Sequence, residues 1–196
     1  MAERTDPMSD WELVQRARGG DREAFRQLVE RYQRKVGALA LGMLRNQDDA
    51  LDVVQETFTK AYQSLDRFKG DSSFYTWVYR IASNLCIDHQ RRESRATHLP
   101  YEHDDRTPGT IGEGTLLDDT PRDQPFDRTR DAQLGERLRT AIAELTPEHR
   151  AVIVLREVDG LSYEEISQVL QCPKGTVMSR LHYARRQLQA RLREML

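Results

Sequence analysis

Residues 93–131 constrain the fold more than any other part of the chain. They show neither helical nor strand periodicity and are filled with turn formers: Thr107-Pro108-Gly109, Gly112-Glu113-Gly114, Asp118-Asp119-Thr120-Pro121 and Gln124-Pro125. A compact domain does not accommodate so long a structureless segment, so the stretch reads as a flexible interdomain linker. On both sides of it apolar residues recur at helical spacing, and no strand-like alternation of useful length occurs. The expected fold is therefore all-α: two small helical domains, residues 1–92 and 132–196, joined by a long linker, the second containing a helix-turn-helix. A chain of 196 residues has room for such a division.

In the N-terminal block, Ser9 and Glu12 form a capping box for a short helix that stops at Gly19-Gly20. A longer helix follows with Phe25, Leu28, Val29, Tyr32, Val36, Leu39 and Met43 on one face, and Asn46 to Asp49 read as the turn after it. The third helix should place Leu51, Val54, Phe58, Ala61, Tyr62 and Leu65 inward and expose Asp52, Gln55, Glu56 and Thr59. A fourth begins after Gly70-Asp71-Ser72 and carries Phe74-Tyr75-Thr76-Trp77-Val78-Tyr79-Arg80, closing with Arg91-Arg92 and Arg95. Four aromatics in six residues exceed what one helix face buries. Aromatics beside arginines suit single-stranded bases, which stack on rings while guanidinium groups hold phosphates. A bundle core is the competing reading of each ring. The loop Arg67-Phe68-Lys69-Gly70-Asp71 ahead of this helix is placed to present a pocket to an extruded base.

In the C-terminal block, helical pattern resumes near Ala132 with Leu134, Leu138, Ile142 and Leu145, and Thr146-Pro147 starts a helix that ends by Gly160. Ser162 and Glu165 form a second capping box, the Gln171-Cys172-Pro173 break ends that helix, and another restarts near Lys174. Val177, Leu181, Ala184, Leu188 and Leu192 make its buried stripe, leaving Thr176, Ser179, His182, Tyr183 and Arg186 outward. From Gln171 to the end there are six basic residues against one acid, net +5, whereas Pro147 to Leu170 is net −3. The positive charge is thus concentrated on the element expected to enter a major groove.

The whole chain has a net charge of −2, which argues against indiscriminate coating of nucleic acid. The linker alone carries ten acids against five arginines and should be an extended polyanion. Cys86 and Cys172 are too few for a disulfide framework, and neither has a neighbour at zinc-ligand spacing. No metal and no cofactor is expected. The N-terminus lacks a signal-peptide core, and the longest apolar run, Val36 to Leu44, is too short to span a bilayer. A cytoplasmic protein without membrane insertion is the expectation.

Five segments in register resemble an extracytoplasmic-function (ECF) sigma factor, the two-domain class of bacterial RNA polymerase specificity subunits, and in particular the sigma-E, envelope-stress type. They are Asp21-Arg22-Glu23-Ala24-Phe25, Asp52 to Phe58, Phe68 to Trp77, Asp159 to Ile166, and Gly175-Thr176-Val177. The resemblance implies a non-enzymatic subunit that binds core RNA polymerase, recognises the −35 and −10 promoter elements and assists melting for transcription initiation. It assigns Asp52, Gln55, Glu56 and Thr59 to core polymerase, and Phe68, Lys69, Phe74, Trp77, Arg80, Asn84, Arg91 and Arg92 to the −10 element, with Phe68 and Asn84 capturing an unstacked base. Thr176, Met178, Ser179, Arg180, His182, Tyr183, Arg185 and Arg186 fall to the −35 element. Met178 and Tyr183 stand where arginines are common in the sigma-E pattern, so the −35 sequence is left open. The family further implies an anti-sigma factor, often membrane-anchored, and a linker that threads toward the polymerase active-site cleft, where this acidic one would mimic RNA.

Two other classes stand beside this one. An autonomous helix-turn-helix regulator would dimerise and gives no reason for the aromatic, basic first bundle. An enzyme finds no Gly-rich phosphate loop, nucleophile elbow or metal constellation in the sequence.

Overall fold

The computed structural model describes residues 8–97, 135 and 137–194. The proposed linker, apart from its first residues, lies outside them. Among the described residues there is helix and no strand, as the two blocks of 3.6-residue periodicity require.

Helix α1 (Asp10–Arg18) opens on the expected capping box: Ser9 Oγ accepts from the Glu12 amide at 3.3 Å, and Glu12 Oε2 accepts from the Ser9 amide at 2.9 Å. Helix α2 (Arg22–Leu44) is capped by Asp21, which also pairs with Arg16 at 2.6 Å. Helix α3 (Gln47–Gln63) begins earlier than the sequence suggests. Arg45 takes a left-handed conformation (φ 62°) and the Asn46 side chain accepts from the amides of Asp48 and Asp49, so the turn closes within two residues.

The inward face of α3 is also rotated from expectation. Ala50, Val53, Thr57, Phe58 and Ala61 are buried, while Leu51 (59%) and Tyr62 (45%) are exposed. Both sets obey i, i+3, i+4 spacing, and close packing of α3 against α2 and α4 selects the one with small residues. A short 3₁₀ turn (Leu65–Arg67) leads to helix α4 (Phe74–Thr97), whose start is fixed by Ser73 Oγ accepting from the Thr76 amide at 3.0 Å.

After a helical stretch at 137–143, helix α5 (Pro147–Ile153) is capped by Thr146 and continues as a wider π-type turn through Val158. Helix α6 (Tyr163–Leu170) opens on the Ser162–Glu165 capping box, with bonds of 2.8 and 3.2 Å. Gln171 in left-handed conformation (φ 50°) and Pro173 make the turn into helix α7 (Lys174–Glu194), which buries Val177, Leu181, Ala184 and Leu188 as expected.

The two helical units pack against each other, which the sequence alone did not indicate. Helix α4 is covered on one side by α2 and α3 and on the other by α5 and α6. Arg150 donates to the Met43 carbonyl at 2.7 Å and to the Ile142 carbonyl at 3.1 Å, Arg91 pairs with Glu148 at 2.9 Å, and Gly42 lies where a methyl group would meet Val154 Cγ1 at 3.1 Å. Burial between the units lowers the pKa of Arg150, with the nearby Arg45 acting in the same direction. Its hydrogen bonds go to carbonyl oxygens, and the Glu93 carboxylate opposes the lowering from a distance.

Candidate nucleic-acid interface

The aromatic residues of α4 divide into two packed sets because the helix is covered on two sides. Phe74 and Trp77 interlock with Phe68 at centroid distances of 5.9 and 5.1 Å, and all three are at most 7% exposed. Tyr79 is fully buried on the other side, 4.2 Å from the Tyr75 ring and facing Asp159. The excess of rings is therefore taken up by a second packing surface rather than by a free stacking platform. Phe68, Phe74 and Trp77 present no ring face for a base in this arrangement; they form the floor beneath the loop that precedes α4.

Asn84, by contrast, is exposed and lines a hollow of about 540 Å³ with Lys60, Gln63, Ser64, Arg67, Ile81, Leu85 and Asp88. That volume falls within the range of clefts that enclose small ligands. Two cations, two amides and the Asp88 carboxylate surround a partly apolar wall, with Lys60 also paired to Glu56 at 2.8 Å; the amides are able to pair with a base edge and the cations to hold its phosphate. Sequence reading named Asn84 and, within its loop, Arg67, but neither Lys60 nor Gln63. Their i, i+3 spacing on α3, opposite Ile81, Asn84 and Asp88 on α4, is the signal that could have found them. Lys69 and Arg92 are exposed and Arg80 is half-buried, whereas Arg91 is engaged with Glu148.

On α7, the outward face consists of Met178 (53% exposed), Ser179, His182, Tyr183 (55%) and Arg186. The His182 and Tyr183 rings meet edge to face at 5.6 Å, and Ser179 Oγ donates to the Thr176 carbonyl at 3.0 Å. Thr176 and Arg180 are half-buried, and Arg185 is held by Glu157 at 2.6 Å. The structure thus separates the eight residues expected on this helix into five that are open, two at its edge and one that is paired. Asp52, Gln55, Glu56 and Thr59 share one exposed face of α3, with Leu51 beside them. This surface mixes acid and apolar character more than the sequence reading allowed.

Asn84 and Arg180 also line one narrow hollow of about 300 Å³ between the two units, with Arg91 and Glu148 among its walls. No group of His, Cys, Asp and Glu suited to a metal occurs among the described residues, and none of their helices is long and apolar enough to cross a membrane. Burial pushes the Cys86 thiol up to about 12, which makes it unreactive.

Residues 28–96 match the family model for Sigma-70 region 2, and residues 135–188 match that for Sigma-70, region 4. The ECF RNA polymerase sigma-E factor of Haemophilus influenzae is 37% identical over 97% of this chain and 99% of its own length. That of Escherichia coli K12 is 40% identical over 92% and 93%. The chain belongs to the ECF sigma factors of the sigma-70 family. Among solved structures, CnrH in complex with the cytosolic domain of CnrY superimposes with a TM-score of 0.66 at 27% identity, covering 94% of this chain and 97% of that one. The sigma factor RpoE in complex with the anti-sigma factor NepR from Bartonella quintana gives 0.62 at 25% identity over 86% and 96%. Sigma factors of this family are non-catalytic promoter-recognition subunits, and this sigma factor serves promoter-specific transcription initiation.

Proposed function

We propose that this sigma factor reads the −10 element through the Asn84 hollow and the −35 element through the open face of α7, and itself carries out no catalysis. Support for the first assignment is a hollow of about 540 Å³ lined by Asn84, Lys60 and Arg67 among others. An unstacked base pairs its edge with Asn84 while the cations hold the flanking phosphate, and Lys69, Arg80 and Arg92 extend the backbone track. Phe68, Phe74 and Trp77 act beneath this surface by fixing its shape. On α7, Ser179, His182, Tyr183 and Met178 meet base edges and Arg186 meets phosphate. Core polymerase docks on Asp52, Gln55, Glu56 and Thr59. The functional units run over residues 1–92 and 132–196, with 93–131 as the acidic connection, and the protein works in the cytoplasm beside the nucleoid-bound polymerase.

An anti-sigma factor is a partner, and two similar sigma factors support this: one was solved with the cytosolic domain of CnrY and the other with the anti-sigma factor NepR. Run-off transcription with core enzyme on genomic promoter fragments tests the whole reading; failure to initiate at any promoter refutes it. Asn84→Ala tests the −10 site. Open-complex formation should fall about tenfold with core binding unchanged, since a base contact is worth about 1 to 3 kcal/mol. Equal open-complex yield removes the assignment.

A further inference from the structure

No residue of helix α1 lines the Asn84 hollow, yet two of its side chains clasp the loop that walls it. Arg18 Nε donates to the Leu65 carbonyl at 3.1 Å, and Nη2 donates to the carbonyls of Leu65 at 3.0 Å, Asp66 at 3.4 Å and Phe68. The Leu65 carbonyl also accepts from the Phe68 amide at 3.1 Å. The same guanidinium lies 5.8 Å from the centre of the Trp11 ring, and that ring packs against Phe68 at 6.2 Å. Trp11 also covers Gly70: a methyl group there would meet the indole Cζ3 at 2.8 Å, and Gly70 has φ +79°, which side chains rarely adopt. A planar fork over three carbonyls fixes the path of Leu65–Phe68, and Arg67, inside that span, lines the hollow.

We infer that Arg18 is a positioning residue for −10 recognition, with Trp11 as its outer support, acting through Arg67 and the Leu65–Gly70 loop without touching DNA. The inference rests on the reading of the Asn84 hollow as the base site. A lysine at 18 keeps the charge but reaches one carbonyl at a time, so loop order is lost while net charge is not.

The experiment uses holoenzyme assembled from core polymerase and the full chain, a single-stranded non-template −10 oligonucleotide as probe, and a −35 duplex as control. Arg18→Lys should weaken oligonucleotide binding about tenfold, the size of one charge-assisted hydrogen bond, with −35 duplex and core affinities unchanged. In an Arg67→Ala background the effect of Arg18→Lys should shrink to about twofold or less, because the two residues act in series. A full tenfold effect in that background shows a general loss of stability and overturns the inference. So does parental binding by Arg18→Lys when Asn84→Ala and Arg67→Ala are impaired. If neither of those two is impaired, the base-site reading fails and takes this inference with it. Should Arg18→Lys not fold, Trp11→Ala carries the test: weakened oligonucleotide binding rescued by Trp11→Phe supports the clasp, and parental binding by Trp11→Ala overturns it.

Discussion

Replacing Asp159 with asparagine should stabilise the protein at neutral pH and remove one part of its pH dependence. Asp159 follows the π-type turn and lies against α4, where burial raises its carboxyl from 3.8 to about 6 against the lowering effects of Tyr79 and Lys35. The geometry agrees. Tyr79 has one hydroxyl hydrogen, and it is nearer the Lys35 carbonyl, at 3.1 Å, than Asp159 Oδ1, at 3.5 Å, while Asp159 Oδ2 has no hydrogen-bond partner. A protonated carboxyl could donate to the phenol oxygen; an ionised one leaves charge in a poor environment. Because the folded pKa lies above the unfolded one, the native state holds more protons between about pH 4 and 6, and stability falls as pH rises through that window. A rise of this size corresponds to about 3 kcal/mol. An asparagine side chain stays neutral and can make the same donation, so Asp159→Asn should recover about 2 to 3 kcal/mol above pH 7, or roughly 5 to 10 °C in Tm for a chain of this size. Thermal melts of parent and variant from pH 4.5 to 8, taken as the difference in Tm, cancel the other carboxylates. The difference should be about a third of its full size at pH 4.5 and grow to its plateau by pH 7. A difference that does not change with pH would refute the placement of a strained carboxylate at this contact.

Arg186→Ala should reduce the slope of log K against log salt for the −35 duplex by about 0.9, the signature of one lost phosphate contact. Arg185→Ala should change it less, since Arg185 is already paired with Glu157; anisotropy titrations at several salt concentrations measure both. Ser162→Ala removes a capping box and should cost about 1 kcal/mol, seen as a small drop in Tm with DNA sequence preference retained. Neutralising Glu102, Asp104, Asp105, Asp118 and Asp119 at constant length should lower core affinity or alter the abortive-transcript pattern if the acidic connection imitates RNA. Unchanged values would leave length as its only property.

Local signals carried the helices and both capping boxes into view, because Ser9 with Glu12 and Ser162 with Glu165 need only three-residue spacing. The outward face of α7 was equally legible, its buried stripe being unbroken from Val177 to Leu188. On α3 the pattern admits two registers that differ by a fraction of a turn, and the choice between Leu51 and Ala50 is made by neighbours distant in sequence. Phe68 was ambiguous for a related reason. An aromatic in a basic loop has the same sequence signature whether its ring faces solvent or lies under Trp11. Nothing local announces that Arg150 will reach the Met43 carbonyl or that Arg18 will bind the loop at Leu65; those contacts exist only once the helices have met.

On the site assignments proposed above, the packing of the two units around the hollow shared by Asn84 and Arg180 competes with DNA. Elements centred near −35 and −10 are about 25 base pairs apart, roughly 85 Å at 3.4 Å per step, whereas here Asn84, proposed for −10, and Arg180, at the edge of the face proposed for −35, stand on the walls of one cleft. One duplex cannot satisfy both sites until the contacts between α4 and the C-terminal helices are given up. Apparent promoter affinity is then the intrinsic affinity multiplied by the fraction of molecules already parted, and every 1.4 kcal/mol invested in closure lowers it about tenfold. Gly42, with no room for a methyl group against Val154, sits on the surface where that fraction is decided.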